Sequence, residues 1–447
     1  MKFTTEELIF ATGAKVLKNN TKTELFSIST DTRTIKSENV YIGLKGESFD
    51  GENFIDKAVN AGARAYFTTK GTIIDNAELI LQVSDPMIAY LQLANLYLNK
   101  VAPKVIALTG SSGKTTTKEI LTTVCKQAFK THSTPLNHNN EVGFCQTILS
   151  MPTDTQVLIL EMGMRGLGEI ELLSKYSHPD ITIITNVGTS HIGRLGSREN
   201  IAKAKCEICK YQKENGCFIA HDSDLIRQTV EFKGEKIYFS IKDVEFIEKQ
   251  IGKTKFEYKD EEYQLNIEGD YNVENSLAVI EAGLQLEMSP DNIRDGLKAY
   301  TPIDKRWQIE KVGEYEVIND AYNANPDSMK AALSTVLELY PKATLVLGNM
   351  GELGTDEEFY HQEIGNFIIS KLTENNNIRV ITVGNLAKKI AEKVAENGIP
   401  TASFENNCQA TRYILENVEK NSTIFLKASR SMKFEEILNE LKGEISW

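Results

Sequence analysis

A chain of 447 residues is too long for one ordinary core and points to about three domains. Its formal charge of -12 excludes a nucleic-acid or membrane-surface protein, since binding a polyanion needs a dominant basic face, so any anionic ligand must be gripped locally. No apolar run reaches about 18 residues and MKFTTEELIF lacks the make-up of a secretory leader, so the sequence predicts a cytoplasmic protein with no membrane insertion.

From Leu25 to about Val83 four β-type runs, LFSIST, NVYIGLKG, ARAYFTT and ELILQV, surround one helical pattern, FIDKAVNAGA, which reads as a small α/β domain. SDPMIAYLQLANLYLNK follows as a connecting helix with Ser84 as its expected cap. Between Val105 and about Thr185 the pattern becomes KVIALTG, TKEILTTVCKQA, QVLILEMG and DITIITNVG, apolar strands alternating with helices. That is the signature of a parallel sheet covered on both faces. Ligands gather at the carboxyl ends of such strands, which makes Thr109 to Thr115, Glu161 and Asn186 to His191 the residues to inspect.

The stretch 230 to 268 alternates charged and apolar residues and predicts antiparallel strands or an insertion without chemistry. SPDNIRDGLKAY is a helix capped by Ser289 with Pro290 in its first turn. From Tyr315 the alternation restarts: YEVIND, a helix from Pro326 to Leu339, ATLVLGNMGELG, a helix near 357 to 372, RVITVGN, a helix near 386 to 397, and TIFLKASRS. This predicts a third, doubly wound domain whose strands end in Asp320, Asn349 and Lys427. The six cysteines are scattered. Only Cys206 and Cys209 have metal-like spacing, and without a second pair they read as reduced thiols on a helix.

Gly110-Ser111-Ser112-Gly113-Lys114-Thr115, followed by Thr116, lies between a strand and a helix as a phosphate-binding loop must. Glycines let backbone N–H groups face phosphate oxygens, the helix offers its positive end, Lys114 a point charge and Thr115 a hydroxyl for Mg²⁺. Glu161 follows VLIL where a strand-end acid reaches Mg²⁺ in many such proteins, although a solvated carboxylate would also fit there. His191 alone would read as a turn residue; three strand ends meeting at one loop make it a candidate ligand. Lys203 and Lys205 share a helical stretch, and spacing does not say whether either turns inward.

Several further runs, taken in order, resemble the Mur ligase family of peptidoglycan synthesis along essentially the whole chain. They are STDTR (29 to 33), LKGESFDG (44 to 51), TGSSGKTTTKE (109 to 119), NNEVGF (139 to 144), EMGMRGLGEI (161 to 170), TNVGTSHIGRLGSRENIAKAKCEI (185 to 208), GDYNVENSLAVIEA (269 to 282), NDAYNANPDSM (319 to 329), LGNMGELG (347 to 354) and LKASRS (426 to 431). AYNANPDSM is characteristic of the branch that adds a dipeptide.

The resemblance implies three domains: 1–83 for the UDP substrate, a central P-loop parallel-sheet ATPase domain over 84–308, and a Rossmann-like doubly wound domain over 309–447 on the D-alanyl-D-alanine side. It implies ATP-dependent joining of D-alanyl-D-alanine to UDP-N-acetylmuramoyl-tripeptide through an acyl phosphate, by a monomer. Ser29, Asp31, Arg33, Lys45, Phe49, Asp50 and Gly51 would hold the uridine diphosphate end, with Asn139, Asn140 and Arg165 on the same substrate. Lys114 would bind the ATP phosphates, Thr115 and Glu161 one Mg²⁺ and His191 a second, with Lys205 carrying a CO₂-derived carbamate as an anionic ligand. Asn272 and Asn275 would contact adenine, Arg306 and Asp320 would reach ATP, and Tyr322, Asn323 and Asn325 would help place the dipeptide. Ser112 stands where Asn is common, Tyr271 where His often precedes the adenine Asn, Asn349 for a common Asp and Ala428 for a common Gly, while KRWQIE replaces the usual Gly-Arg lead into the last domain.

Overall fold

The computed structural model describes residues 1–21, 26–46, 48–135, 138–303 and 305–443. Leu25, which opens the first predicted strand, and Glu47, inside LKGESFDG, lie outside them. The chain forms two compact units. The first comprises Met1–Ala107, Phe129–Met162 and Leu172–Asp180, and the second Leu108–Ala128, Gly163–Glu171 and Ile181–Trp447.

A five-stranded sheet opens the first unit, in the order Lys15–Asn19, Leu79–Gln82, Ala65–Thr68, Asn39–Ile42, Ser27–Ser29. Four of its strands run parallel and only Lys15–Asn19 pairs antiparallel. Residues 39–42 and 65–68 are buried throughout, as strands covered on both faces must be, whereas KVLKN is an edge strand with only Val16 and Leu17 between polar residues and escapes prediction. The helix Pro86–Val101 is capped by Asp85 rather than Ser84: the Asp85 carboxylate accepts from Met87 N at 2.7 Å and Ile88 N at 3.3 Å. Proline fits the first helical turn and pushes the residue before it into the extended conformation of a cap, which decides between the two candidates.

In the first unit Thr131–Ser133 pairs parallel with Val157–Glu161, and in the second Ile181–Ile184, Cys217–His221 and Glu235–Phe239 lie side by side as a parallel sheet. Glu235–Phe239 pairs parallel with Cys217–His221, so this part of the 230 to 268 stretch extends the sheet and is not an antiparallel insertion. The remainder is antiparallel, as expected: Phe246–Gln250, Lys253–Tyr258 and Glu261–Leu265 form a separate three-stranded sheet.

The C-terminal part of the second unit holds a six-stranded sheet: Gln308–Val312, Tyr315–Asn319, Thr423–Lys427, Thr344–Gly348, Arg379–Val383, Thr401–Phe404. All neighbours run parallel except the first hairpin. Val317, Val346, Ile381, Ile424 and Leu426 from the strands pack with Ala410, Ile414 and Ile437 from helices in one core. The predicted helix Pro326–Leu339 is observed with those bounds, and those near 357 and 386 run Glu357–Lys371 and Lys388–Ala395. Among the described residues no helix is long and apolar enough to cross a membrane.

Candidate active site

In the first unit, the chain after strand Ser27–Ser29 turns through Ser29 and Asp31, whose main-chain N–H donates to Ser29 Oγ at 3.3 Å. Arg33 closes on Asp31 through Nε–H···Oδ1 at 3.0 Å and Nη2–H···Oδ2 at 2.7 Å. That fork lowers the Asp31 carboxyl to about 2. The loop 44–51 folds back on itself, with Gly46 N–H donating to Phe49 O and Gly51 N–H to Leu44 O, both at 2.9 Å. A Cβ on Gly51 or Gly43 would run into the facing backbone, so glycine is required at both. Phe49 is 57% exposed at the loop's end, offering an aromatic face beside Lys45 and Asp50. Farther along, Asn139 donates from Nδ2 to Glu161 Oε1 at 3.1 Å, and Asn140 caps helix Glu141–Ser150 by accepting from Gly143 N at 3.0 Å. Glu161 is buried at its strand end.

The phosphate loop belongs to the second unit. Gly113 precedes helix Lys114–Cys125 in a left-handed conformation (φ 76°), and no side chain caps the helix, which leaves its amino end to an anion. A Cβ on Gly110 would collide with Thr185, and one on Gly113 with Asn275. The loop is laced to the strand end at 185–188: Ser111 N–H donates to Asn186 O at 3.1 Å and Ser112 N–H to Asn186 Oδ1 at 2.9 Å. Asn186 Nδ2–H donates to Ser112 Oγ at 2.9 Å. Ser112 therefore helps fix the loop through its hydroxyl. Lys114 Nζ donates to Gly110 O at 2.7 Å, folded over the loop it would share with phosphates, and Thr115 and Thr116 are buried behind it.

The helix Arg198–Cys206 answers what spacing left open: Lys203 is exposed and Lys205 is 1% exposed. Burial, and next the nearby charge of Lys114, push the Lys205 amine well below its ordinary 10.5. The neighbouring thiols are raised by burial, Cys206 to about 12 and Cys209 to about 11, so both are protonated and inert at neutral pH.

Segments distant in sequence meet this loop within the same unit. Asn325, the cap of helix Pro326–Leu339, donates from Nδ2 to Ser111 O at 3.4 Å. Asp327 accepts from both Thr189 N and Thr189 Oγ1 at 2.7 Å. His191, itself left-handed (φ 65°), faces Glu352 with Nδ1 and Oε2 2.6 Å apart, and Gly193 N–H donates to Glu352 O at 3.1 Å. His191 first, then Arg194 and Arg165, hold the Glu352 carboxyl below its usual range. Asn272 donates to Glu268 O, and Asn275 lies against Gly113. Arg306 stacks 3.8 Å over the Tyr322 ring. Lys427 pairs with Asp320 and also reaches Asn323 O at 3.5 Å, fixing the turn of the NDAYN run. Asn349 spends its Oδ1 on Ala387 N–H at 2.8 Å, a structural cap that any oxygen-bearing Asn or Asp could make.

Asp327 and Glu352 were given no role by sequence, although both stood in recognised runs. The available signals were an acid in the first turn of a Pro-started helix and an acid in a glycine-flanked turn, and both patterns are common on surfaces. Among the described residues no group of three or more His, Cys, Asp or Glu forms a metal cage. Each unit carries an oxygen donor of the kind Mg²⁺ takes, the buried Glu161 carboxylate in the first and the buried Thr115 hydroxyl in the second, whereas the buried Lys205 amine would offer oxygen only as a carbamate.

A glycine loop at a helix start, a buried lysine behind it and a second α/β layer seated on it define a nucleotide-using P-loop enzyme. The sequence matches three family descriptions in series: "Mur ligase family, catalytic domain" over 25–100, "Mur ligase middle domain" over 108–283 and "Mur ligase, glutamate ligase domain" over 305–430. It is 38% identical to the UDP-N-acetylmuramoyl-tripeptide--D-alanyl-D-alanine ligase of Bacillus subtilis, covering 94% of each chain. Among solved structures, MurF from Acinetobacter baumannii superposes with a TM-score of 0.90 at 29% identity over 99% of each chain. MurF from Thermotoga maritima in complex with ADP gives 0.82 at 25%, over 94% of this chain and 97% of that one. The chain belongs to the Mur ligase family.

Proposed function

We propose that this chain joins D-alanyl-D-alanine to UDP-N-acetylmuramoyl-tripeptide at the expense of ATP, completing the pentapeptide precursor of peptidoglycan in the cytoplasm as a monomer. One observation carries the reading beyond family membership: the NANPD run, which marks the dipeptide-adding branch, sits on the phosphate loop through Asn325 and on its partner strand end through Asp327.

The substrate's terminal carboxylate oxygen attacks the γ-phosphorus, the bond to the β-phosphate oxygen breaks, and ADP leaves an acyl phosphate. The dipeptide's neutral amine then attacks the acyl carbon, and the tetrahedral intermediate collapses with loss of phosphate as the amine gives up its proton. Phosphorylation is needed because a carboxylate carbon is a poor electrophile. Lys114 and the N–H groups of the loop neutralise and align the γ-phosphate, which is most of what phosphoryl transfer asks of a protein. Thr115 and Glu161 would hold one Mg²⁺ and His191 and Lys205 would serve a second, and these ions would supply charge neutralisation at the phosphates. Lys205 suits a carbamate because only a neutral amine adds CO₂, and burial shifts the amine toward its neutral form. Ser29, Asp31, Arg33, Lys45, Phe49, Asp50 and Gly51 bind the uridine diphosphate end, with Asn139, Asn140 and Arg165 farther along the same substrate. Asn272 and Asn275 take adenine, Arg306 and Asp320 reach ATP, and Tyr322, Asn323 and Asn325 place the dipeptide. Seating Asn325 on the phosphate loop, and Asp327 and Glu352 on the neighbouring segment at Thr189 to Gly193, would exclude water that hydrolyses the acyl phosphate. Residues 1–83, 84–308 and 309–447 are the corresponding functional domains.

Phosphate release tests this reading: it is expected only when ATP, the UDP-linked tripeptide and D-alanyl-D-alanine are all present. Release indifferent to both co-substrates would indicate a nucleotide-driven switch instead.

A further inference from the structure

Glu268 is fully buried (0% exposed) and has no part in the chemistry proposed above. Its side chain receives hydrogen bonds from three segments of the second unit. Gly252 N–H donates to Oε1 at 2.6 Å, Tyr340 O–H to Oε1 at 2.7 Å, and the Trp307 indole N–H to Oε2 at 2.7 Å. Burial, and then Glu268 itself, raise the Tyr340 phenol, which keeps it a donor. Gly252 lies in the turn of the three-stranded antiparallel sheet, and Tyr340 follows helix Pro326–Leu339. Lys249 of the same sheet braces the joint from outside by pairing with Asp270 at 3.2 Å and Glu338 at 2.7 Å. The stretch in which the sequence showed no chemistry is thus a bracket.

What the bracket holds is the lead into the last domain. Lys305 (φ 60°) and Trp307 (φ 55°) both adopt the left-handed conformation, which side-chain-bearing residues of this size disfavour. Such a backbone persists where its surroundings over-determine it. Around Trp307 those surroundings are Glu268 on the indole, Asp320 Oδ1 on the main-chain N–H at 3.2 Å, and the rings of Tyr271 and Phe425 with centroids 6.1 and 5.9 Å away. Arg306 lies between the two strained residues, and its direction over Tyr322 follows from theirs.

We infer that Glu268 is a positioning residue for the ligation: by clamping the Trp307 indole it fixes the left-handed turn at 305–307 and so aims Arg306. The inference rests on the proposed role of Arg306 in reaching ATP. Glutamine cannot replace Glu268 silently, because all three partners donate and an amide turns an N–H₂ toward at least one of them. Glu268→Gln, Trp307→Phe and Arg306→Ala, singly and with each of the first two combined with the third, test it at a temperature well below every melting transition. Glu268→Gln is expected to lower kcat/KM for ATP about tenfold in the wild-type background and less than twofold in Arg306→Ala. Trp307→Phe, which removes one donor and leaves the carboxylate its other two, should follow the same pattern and serves if Glu268→Gln does not fold. Equal losses in both backgrounds, or none in the wild-type background, would overturn the inference. An Arg306→Ala enzyme as active as wild type would instead remove the nucleotide role of Arg306, and a remaining Glu268→Gln defect would then count against this path as well.

Discussion

Lys114→Ala is expected to lower turnover by about a hundredfold to a thousandfold while leaving the melting transition within a few degrees of wild type. The side chain stands at the first position of helix Lys114–Cys125, is only half-buried and folds over the loop to Gly110 O, and alanine is a better helix former. The charge it brings to the γ-phosphate is lost just where negative charge crowds during transfer, and a preorganised group of that kind is worth about 3 to 4 kcal/mol. Phosphate release and product formation should fall together. Unimpaired ATP hydrolysis in the variant would contradict the phosphate-loop assignment.

Lys205→Ala is the second large effect, a loss of about a hundredfold or more, with partial recovery on adding acetate or formate. The recovery is specific to a carboxylate-like group having been removed; loss of a buried cation would not be repaired by an anion. Stability should move the other way. Because the folded-state pKa lies below the unfolded value, the unfolded chain binds the proton more readily, so without CO₂ the amine costs stability at neutral pH. That cost fades as pH rises toward the ordinary 10.5. Lys205→Met, of similar length and without the charge, should therefore melt no lower than wild type at pH 7 in CO₂-free buffer, although it lacks activity. Wild-type turnover in Lys205→Ala would remove the carbamate from the mechanism.

The parts of the molecule that the sequence disclosed are those where one residue type has one physical use. Glycines at 110 and 113, a strand before them and Lys-Thr after them specify a phosphate loop, and in the structure a Cβ at either position would meet a packed side chain, Thr185 or Asn275. Apolar runs at 157–160, 344–347 and 423–426 specify buried parallel strands, and they are found there. The parts it withheld are set by partners far away in sequence. Lys203 and Lys205 share one helix, and only packing decides that Lys205 turns inward. Glu268 looks like any acid ahead of a helix until Gly252, Trp307 and Tyr340 arrive around it. Ser84 and Asp85 are both good caps, and the proline that follows selects the nearer one.

The mass of the product formed from UDP-N-acetylmuramoyl-tripeptide, ATP and D-alanyl-D-alanine is the most direct test of the ligase reading. Ligation of the dipeptide predicts an increment of one D-alanyl-D-alanine less water, with one ADP and one phosphate formed per product. An increment of a single amino acid, or ADP accumulating with no change in the mass of the UDP-linked peptide, would contradict it.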